Sequence, residues 1–388
     1  MAKNANLTRA KNVKNDEFYT NIHDVERELS RYKSHFKNKV VYCNCDDPTR
    51  SSFWRYFYRS FNHLGLKKLI STHYNLDGSS SYALIYEGGH DSDNDTFDVG
   101  VKRVNLKGNG DFRSDECVEY LKQSDIVVTN PPFSLARLYV KQLMDYHKKF
   151  LIIGNKNWIT YKEIFPLLMD RKMWIGENNV KQFKQPDGSI KKFGNVGWFT
   201  NMSLNKTTDQ VTIWKHFDQA DYPAYDNYAA FEVSKVADIP LDKEIAAKID
   251  GDNLAGWQNT YGDDLTVLGQ DGDQLEVKIE RPVWGTPITV LDKYNPKSQL
   301  TKNNLAKDFD ILGLSMGPTW NDINGIDAIK RYQNTRQISR KGKVTNGSKV
   351  NTHADVVVDS PRGTYYEADN TSGKLESKYA RVFIRRKK

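Results

Sequence analysis

Asp125-Ile126-Val127-Val128-Thr129-Asn130-Pro131-Pro132-Phe133 is the stretch whose reading decides the fold. Ile126 to Val128 are β-branched and uninterrupted, as in a strand buried on both faces. The two prolines can neither continue that strand nor donate ladder hydrogen bonds, so it must stop at Asn130. Ser134 then offers an N-cap, and Ala136, Val140, Leu143, Met144 and His147 recur at helical spacing. An Asn and an aromatic ring are thereby placed on a rigid turn at the carboxyl end of a strand, where open α/β sheets hold their ligands.

Working outward, strand and helix patterns alternate. A helix in which Val25, Leu29, Tyr32 and Phe36 share a face precedes a first strand, Lys39 to Cys45. The stripe Phe53, Phe57, Ser60, Phe61 and Leu64 follows as one helix, with Gly65 where a C-terminal cap belongs, and then a second strand from Lys68 to His73. Tyr82 to Leu106 reads as a hairpin, with Phe97, Val99 and Val101 alternating in its second arm. A helix at Asp115 to Gln123, the 125–129 strand, its helix and the strand Phe150 to Gly154 complete the pattern, which predicts a doubly wound, mostly parallel α/β sheet. Beyond about residue 170 the texture changes to an exposed hairpin (Lys181 to Asn195), an aromatic strand (Gly197 to Thr200), and aromatics interleaved with charge. Gln333 to Val350 and the terminal Arg385-Arg386-Lys387-Lys388 are basic, and read either as solvated loops or as contacts to phosphates.

With 388 residues the chain is long enough for two domains. Lys+Arg 57 against Asp+Glu 49 gives a formal net charge of +8 and a pI of 9.0, which favours a polyanionic partner. Three cysteines make no disulfide framework. The polar, basic amino terminus carries no apolar signal and no run reaches membrane-spanning length, so a cytoplasmic protein is expected. Asp91, Asp93 and Asp95 look like a calcium loop but fail the test, with Thr96 where glycine is needed and Lys102 where a bidentate Glu is needed. No metal is expected.

The turn at Asn130 is suited to an amino group on a planar ring. The Asn130 side-chain oxygen and the Pro131 carbonyl can each accept a hydrogen bond from an exocyclic NH2, and Phe133 can stack on the ring. Two oriented acceptors favour the transition state in which that nitrogen becomes tetrahedral and positive.

This turn, with Asp111-Phe112 before it and DEFYT (Asp16 to Thr20) near the amino terminus, resembles the amino-methyltransferases that use S-adenosylmethionine. DEFYT, VVYCNCDDP (40–48), NPPFSL (130–135), KKFLIIGN (148–155), YDNY (225–228) and GTPITVL (285–291) are similar specifically to the EcoRI-type adenine DNA methyltransferases, and Tyr379 to Lys388 looks like that family's final strand. The resemblance implies a Rossmann-like class I methyltransferase fold with a catalytic domain at 16–205 after a basic amino terminus at 1–15. It implies a target-recognition region at 206–388, in which 318–378, where the likeness is thin, reads as an insertion ahead of a basic tail.

By that resemblance Asn130, Pro131, Pro132 and Phe133 hold a flipped adenine. Asp111 accepts from the cofactor's adenine amino group and Phe112 stacks on it; Cys45 and Asp46 or Asp47 face the methionine end, and Phe18, Tyr19 and Thr20 close the cofactor pocket. The implied reaction is methyl transfer from S-adenosylmethionine to N6 of adenine in double-stranded DNA, by a monomer. A cognate restriction endonuclease that cuts the same site is allowed, with no stable complex implied. RNA bases, a protein glutamine amide, or a DNA-binding relative without catalysis are the alternatives. Two departures stand out: Asp46 to Ser52 lacks the family's usual glycine-rich loop, and the second strand ends His73-Tyr74-Asn75 without the acid that ordinarily takes the ribose hydroxyls, Asp77 being the nearest substitute.

Overall fold

The structure is a computed structural model of the chain. It describes residues 19–45, 47–75, 77–89, 99–184, 188–203, 211, 213–225, 228–295, 305–315, 330–338, 344–352, 365–368, 374–376 and 380–388. Phe18, Asp46, the amino-terminal 15 residues and the Asp91 to Asp95 loop lie outside these. The chain divides into two compact units, 1–206 with 297–299, and 207–296 with 300–388. Among the described residues no helix is long and apolar enough to cross a membrane.

The first unit is built on an eight-stranded sheet. Its strands are β2 (Val40–Cys43), β3 (Lys68–Thr72), β4 (Tyr82–Tyr86), β5 (Lys102–Asn105), β6 (Ile126–Thr129), β7 (Lys149–Asn155), β8 (Trp174–Asn179) and β11 (Val196–Thr200), in the order β5-β4-β3-β2-β6-β7-β11-β8. β3, β2, β6 and β7 are mutually parallel, and only β4 and β11 run against the rest. The expected mostly parallel sheet is therefore present. From β2 the chain steps to β3 on one side, and from β6 to β7 on the other. The carboxyl ends of β2 and β6 are thus the point where the connections diverge and a crevice opens.

Local sequence explains these elements. All four residues of β2 and of β6 are buried, as uninterrupted apolar strands between two helical layers must be. Asp125 sets their register, its carboxylate accepting from the Val40 N–H at 2.8 Å while its own N–H donates to the Val40 carbonyl at 2.9 Å. Helix α1 (Ile22–Leu29) and the turns after it bury Val25, Leu29, Tyr32 and Phe36, the expected face. Helix α2 (Ser52–Arg59) is capped by the Ser51 hydroxyl and buries Phe53 and Phe57, each worth roughly 2 kcal/mol of transfer free energy. The stripe then breaks at Ser60 and resumes at Phe61–Leu64, where Gly65, at φ 61°, ends it as a left-handed cap. Helix α3 (Asp115–Gln123) lies as read from the sequence.

The hairpin is real, but its second arm is Lys102–Asn105, later than the alternation at Val99 and Val101 suggested. β8 escaped the sequence reading, because Trp174–Asn179 carries Gly, Glu and two Asn. Its polar residues are met by Glu28 of α1, a fully buried carboxylate that accepts from the Glu177 N–H at 2.9 Å and the Asn178 N–H and Nδ2 at 2.8 Å. A small second sheet joins β1 (Tyr19–Thr20) to the hairpin β9 (Gln182–Lys184) and β10 (Ile190–Lys192).

Among its described residues the second unit holds three small sheets: β12 (Phe231–Glu232), β16 (Val283–Pro287), β22 (Arg381–Arg386) and β17 (Phe309–Leu314); β13 (Glu244–Asp250), β15 (Gln274–Glu280) and β14 (Leu265–Asp271); and β19 (Val344–Thr352), β18 (Lys330–Ile338), β20 (Tyr365–Ala368) and β21 (Leu375–Glu376). Gln333 to Val350 is therefore largely a strand pair, not a solvated loop. The basic terminus is also structural. Arg385 pairs with Asp264, donates to the Arg281 and Thr260 carbonyls and lies over the Tyr261 ring; Arg386 lies over Phe309; the Lys387 ammonium donates to the Ala306 carbonyl. The expected final strand is thus present as β22, and these cations satisfy neighbouring backbone and carboxylate groups instead of lying in a solvated loop.

Candidate active site

β6 delivers Asn130 and Pro131 in a buried position at the switch point, and Pro132 and Phe133 half-buried. The expected N-cap at Ser134 is not used. Instead Phe133–Leu135 forms a single 3₁₀ turn, closed by the Leu135 N–H on the Pro132 carbonyl at 3.0 Å, before helix α4 (Ala136–Asp145) starts. His147 lies past that helix, at φ 52°. The Pro131 carbonyl accepts no hydrogen bond among the described residues, and proline has no N–H to compete for a ligand. The Phe133 ring packs edge-on against Trp158 at 5.8 Å and Phe183 at 6.4 Å between centroids. Gly154 makes room for Trp158, since a Cβ there would lie 2.3 Å from its ring.

The loop after β2 turns without glycine because Cys45 takes the left-handed conformation itself, at φ 74°. Asp47 then accepts at one carboxylate oxygen from the Thr49 N–H (3.0 Å), the Thr49 hydroxyl (2.7 Å) and the Tyr82 hydroxyl (3.4 Å). Tyr82 stacks on His73, the first residue after β3, with ring centroids 5.2 Å apart, and the Arg103 guanidinium lies 3.6 Å from the Tyr82 centroid. Burial holds His73 below the usual histidine range, with Asp47 opposing and Arg103 reinforcing that direction. Asp77 is fully exposed and caps the Ser79 N–H; hydrogen bonds from Ser79 lower its carboxyl.

Asp111 and Phe112 are carried on a loop laid against the end of β3. The Asn75 N–H donates to the Asn109 carbonyl at 2.8 Å, and Gly110, at φ 82°, packs so closely on His73 that a Cβ would fall 1.7 Å from its carbonyl oxygen. The Asp111 carboxylate is taken at three positions by Arg113, through its N–H, Nε and Nη2, which leaves one lone-pair direction for a further donor. Burial alone would raise this carboxyl, but the Arg113 bonds outweigh it and hold it below the ordinary range. Phe112 is buried and packs edge-on against Tyr139 at 5.0 Å, and its carbonyl accepts from Gln142 at 3.1 Å.

Two residues not among the expected site residues hold these pieces together. Asn44, at the end of β2, accepts from the Thr129 hydroxyl at its carbonyl and from the Tyr139 hydroxyl at its side chain. One buried amide thereby joins β2, β6, α4 and, through Phe112, the Asp111 loop. Tyr139 lies on the same helical stripe as Ala136 and Leu143 and could have been found there, whereas nothing in the local sequence marks Asn44.

Tyr19 and Thr20 lie on β1, with Thr20 opposite Phe183. They line a cleft of about 780 Å³ with Arg50, Arg55, Gln182 and Lys184. Thr20 is buried, its carbonyl accepts from the Ser52 hydroxyl at 2.6 Å, and its own hydroxyl makes no hydrogen bond among the described residues. No cluster of His, Cys, Asp and Glu among the described residues could hold a metal.

The family model described as adenine-specific methyltransferase EcoRI matches residues 6–247. Curated relatives include the type II methyltransferase M.EcoRI of Escherichia coli, 43% identical over 62% of this chain and 83% of that protein. M.MpnI of Mycoplasma pneumoniae is 38% identical over 61% of this chain and 77% of its own length. M.MgeORF184P of Mycoplasma genitalium is 36% identical over 87% and 99% respectively, and so extends into the second unit. No solved structure matches the chain.

Proposed function

Because the chain belongs to the EcoRI-type adenine-specific methyltransferase family and is a site-specific DNA methyltransferase, we propose that it methylates N6 of an adenine flipped out of double-stranded DNA, with S-adenosylmethionine as donor. The observation that carries the proposal is the buried turn Asn130-Pro131, with the Pro131 carbonyl open to a donor and the Phe133 ring beside it, at the switch point of the sheet. An adenine amino group inside a base pair cannot reach such a turn, so the base must leave the stack, as is general for enzymes doing chemistry on a base.

The residues across the crevice fit the cofactor. Asp47 offers a carboxylate at the end of β2 for an ammonium group. Asp111, with its one remaining lone-pair direction, suits an adenine amino group, and the Thr20 hydroxyl is a buried polar atom awaiting a partner. When bound, S-adenosylmethionine supplies an electrophilic methyl group on a sulfonium. Asn130 and Pro131 do the rest by position: both oxygens accept from the amino group, and their pull strengthens as the nitrogen becomes tetrahedral and positive. The bracket of Asn44, Thr129 and Tyr139 fixes the two halves of the site relative to each other, where a displacement of 1 Å costs on the order of a hundredfold in rate. We take the enzyme to act in the cytoplasm as a monomer; a cognate endonuclease of the same specificity is compatible with this, with no stable complex implied.

Modification-sensitive sequencing of DNA from cells expressing the chain should report N6-methyladenine at one defined site. Asn130→Ala should lower turnover by on the order of a hundredfold or more while cofactor binding persists. Label from tritiated cofactor appearing in RNA or protein and not in duplex DNA would overturn the proposal.

A further inference from the structure

Among the described residues, the cleft beside the aromatic side of the Asn130 turn carries charged side chains of one sign. One wall is the small sheet, contributing Tyr19, Gln182 and Lys184; the other is the start of α2 and the residues just before it, contributing Arg50, Ser52 and Arg55. Among the described residues, none that lines it is acidic. Arg50 and Lys184 are exposed and form no ion pair among the described residues; Arg50 instead lies 6.0 Å from the centre of the Tyr19 ring. Surface Lys and Arg elsewhere in this unit commonly have partners: Arg27 with Asp24, Arg31 with Glu177, Lys122 with Glu119, Lys141 with Asp145 and Lys172 with Asp170. Two cations facing one cleft, without such partners among the described residues, are placed to meet an external anion.

The position of the cleft selects the anion. Its floor is Phe183, a buried ring that packs directly on Phe133 and sits opposite Thr20 in the β1–β9 pair. The cleft therefore opens one aromatic ring away from the place where the target base is held. We infer that Arg50 and Lys184 clamp the DNA phosphodiester beside the flipped adenosine, so that the backbone is held where the base leaves the stack. Tyr19 and Gln182 offer the neutral groups that orient a phosphate or sugar between the two cations. This inference rests on the reading of the chain as an enzyme of duplex DNA. It assigns the basic cleft to positioning, since phosphate contacts set register without reading sequence.

Arg50→Gln, Lys184→Gln and the double variant test it in the full-length chain, with Lys122→Gln as a control that removes the same charge near the amino end of β6. Each lost phosphate contact should lower the slope of log K against log salt by about 0.9, equivalent to roughly eightfold weaker duplex binding at 0.1 M salt. The double variant should lose about twice that slope, and 2-aminopurine at the target position should show less flipping. Calorimetric affinity for S-adenosylmethionine and the thermal midpoint should match the wild type. An unchanged salt slope overturns the inference, as does a fall in cofactor affinity with the slope intact, which would give the cleft to the methionine carboxylate. If the wild type itself transfers no methyl group to duplex adenine, the DNA reading fails with it; a wild type that does so while the double variant keeps its slope refutes the clamp alone.

Discussion

Replacing Gly110 by alanine separates the demand for an unusual backbone angle from the demand for space. Gly110 and Gly78 share a φ of 82°, but an added Cβ at Gly78 meets nothing within 4 Å, whereas at Gly110 it would lie 1.7 Å from the His73 carbonyl oxygen. Left-handed backbone costs an alanine about 1–2 kcal/mol, partly offset by the entropy alanine removes from the unfolded chain. Gly78→Ala should therefore destabilise by about 1 kcal/mol and leave methyl transfer unchanged. Gly110→Ala carries the same strain, and must also open its contact with the end of β3. That opening breaks the 2.8 Å bond from the Asn75 N–H to the Asn109 carbonyl and the 3.4 Å bond returned by the Asn109 side chain, each worth about 1 kcal/mol. The expected total is about 3 kcal/mol, spent on displacing Asp111 and Phe112. Urea titration measures the stability; calorimetry with S-adenosylmethionine measures the site, where on the order of a hundredfold loss is expected for Gly110→Ala alone. If both variants bound the cofactor and melted alike, the claim that this close approach positions the Asp111 loop would be wrong.

Glu28→Ala strands the Glu177 and Asn178 backbone donors and the Asn178 amide in a buried place, so the urea midpoint should fall by the equivalent of about 3 kcal/mol or more; a loss below 1 kcal/mol would show that water replaces the carboxylate. Tyr139→Phe removes the hydroxyl that donates to Asn44 and should cost about 1 kcal/mol of stability, with a larger fractional loss in methyl transfer than in DNA binding; equal losses in both would contradict a positioning role. Because His73 titrates below its unfolded value of 6.5, the unfolded chain binds the extra proton first. Its contribution to stability is therefore present above pH 6.5 and lost as pH falls through the lowered value. Melting temperatures of the wild type and His73→Gln, compared from pH 7.5 to pH 5, should converge toward the acid end, and parallel curves would rule the residue out.

The sequence by itself determined the α/β class, the parallel strands Val40–Cys43 and Ile126–Thr129, the helix faces around Val25 and Phe53, and the turn at Asn130 to Phe133. These rest on periodicity, β-branching and proline chemistry, which act within a few residues of chain. It could not show the second arm of the hairpin, the Glu177-containing edge strand or the sheet at 330–376, because their residues are polar and their stability comes from partners distant in sequence. Only the tertiary structure decided that Asn44 ties Thr129 to Tyr139, that Cys45 turns the glycine-free loop, and that Arg385 and Lys387 are spent on neighbouring groups while Arg50 and Lys184 share a cleft. The reason is physical. A charge or an amide has no fixed meaning along the chain, since its energy is set by which groups of opposite polarity fold to within hydrogen-bonding distance of it.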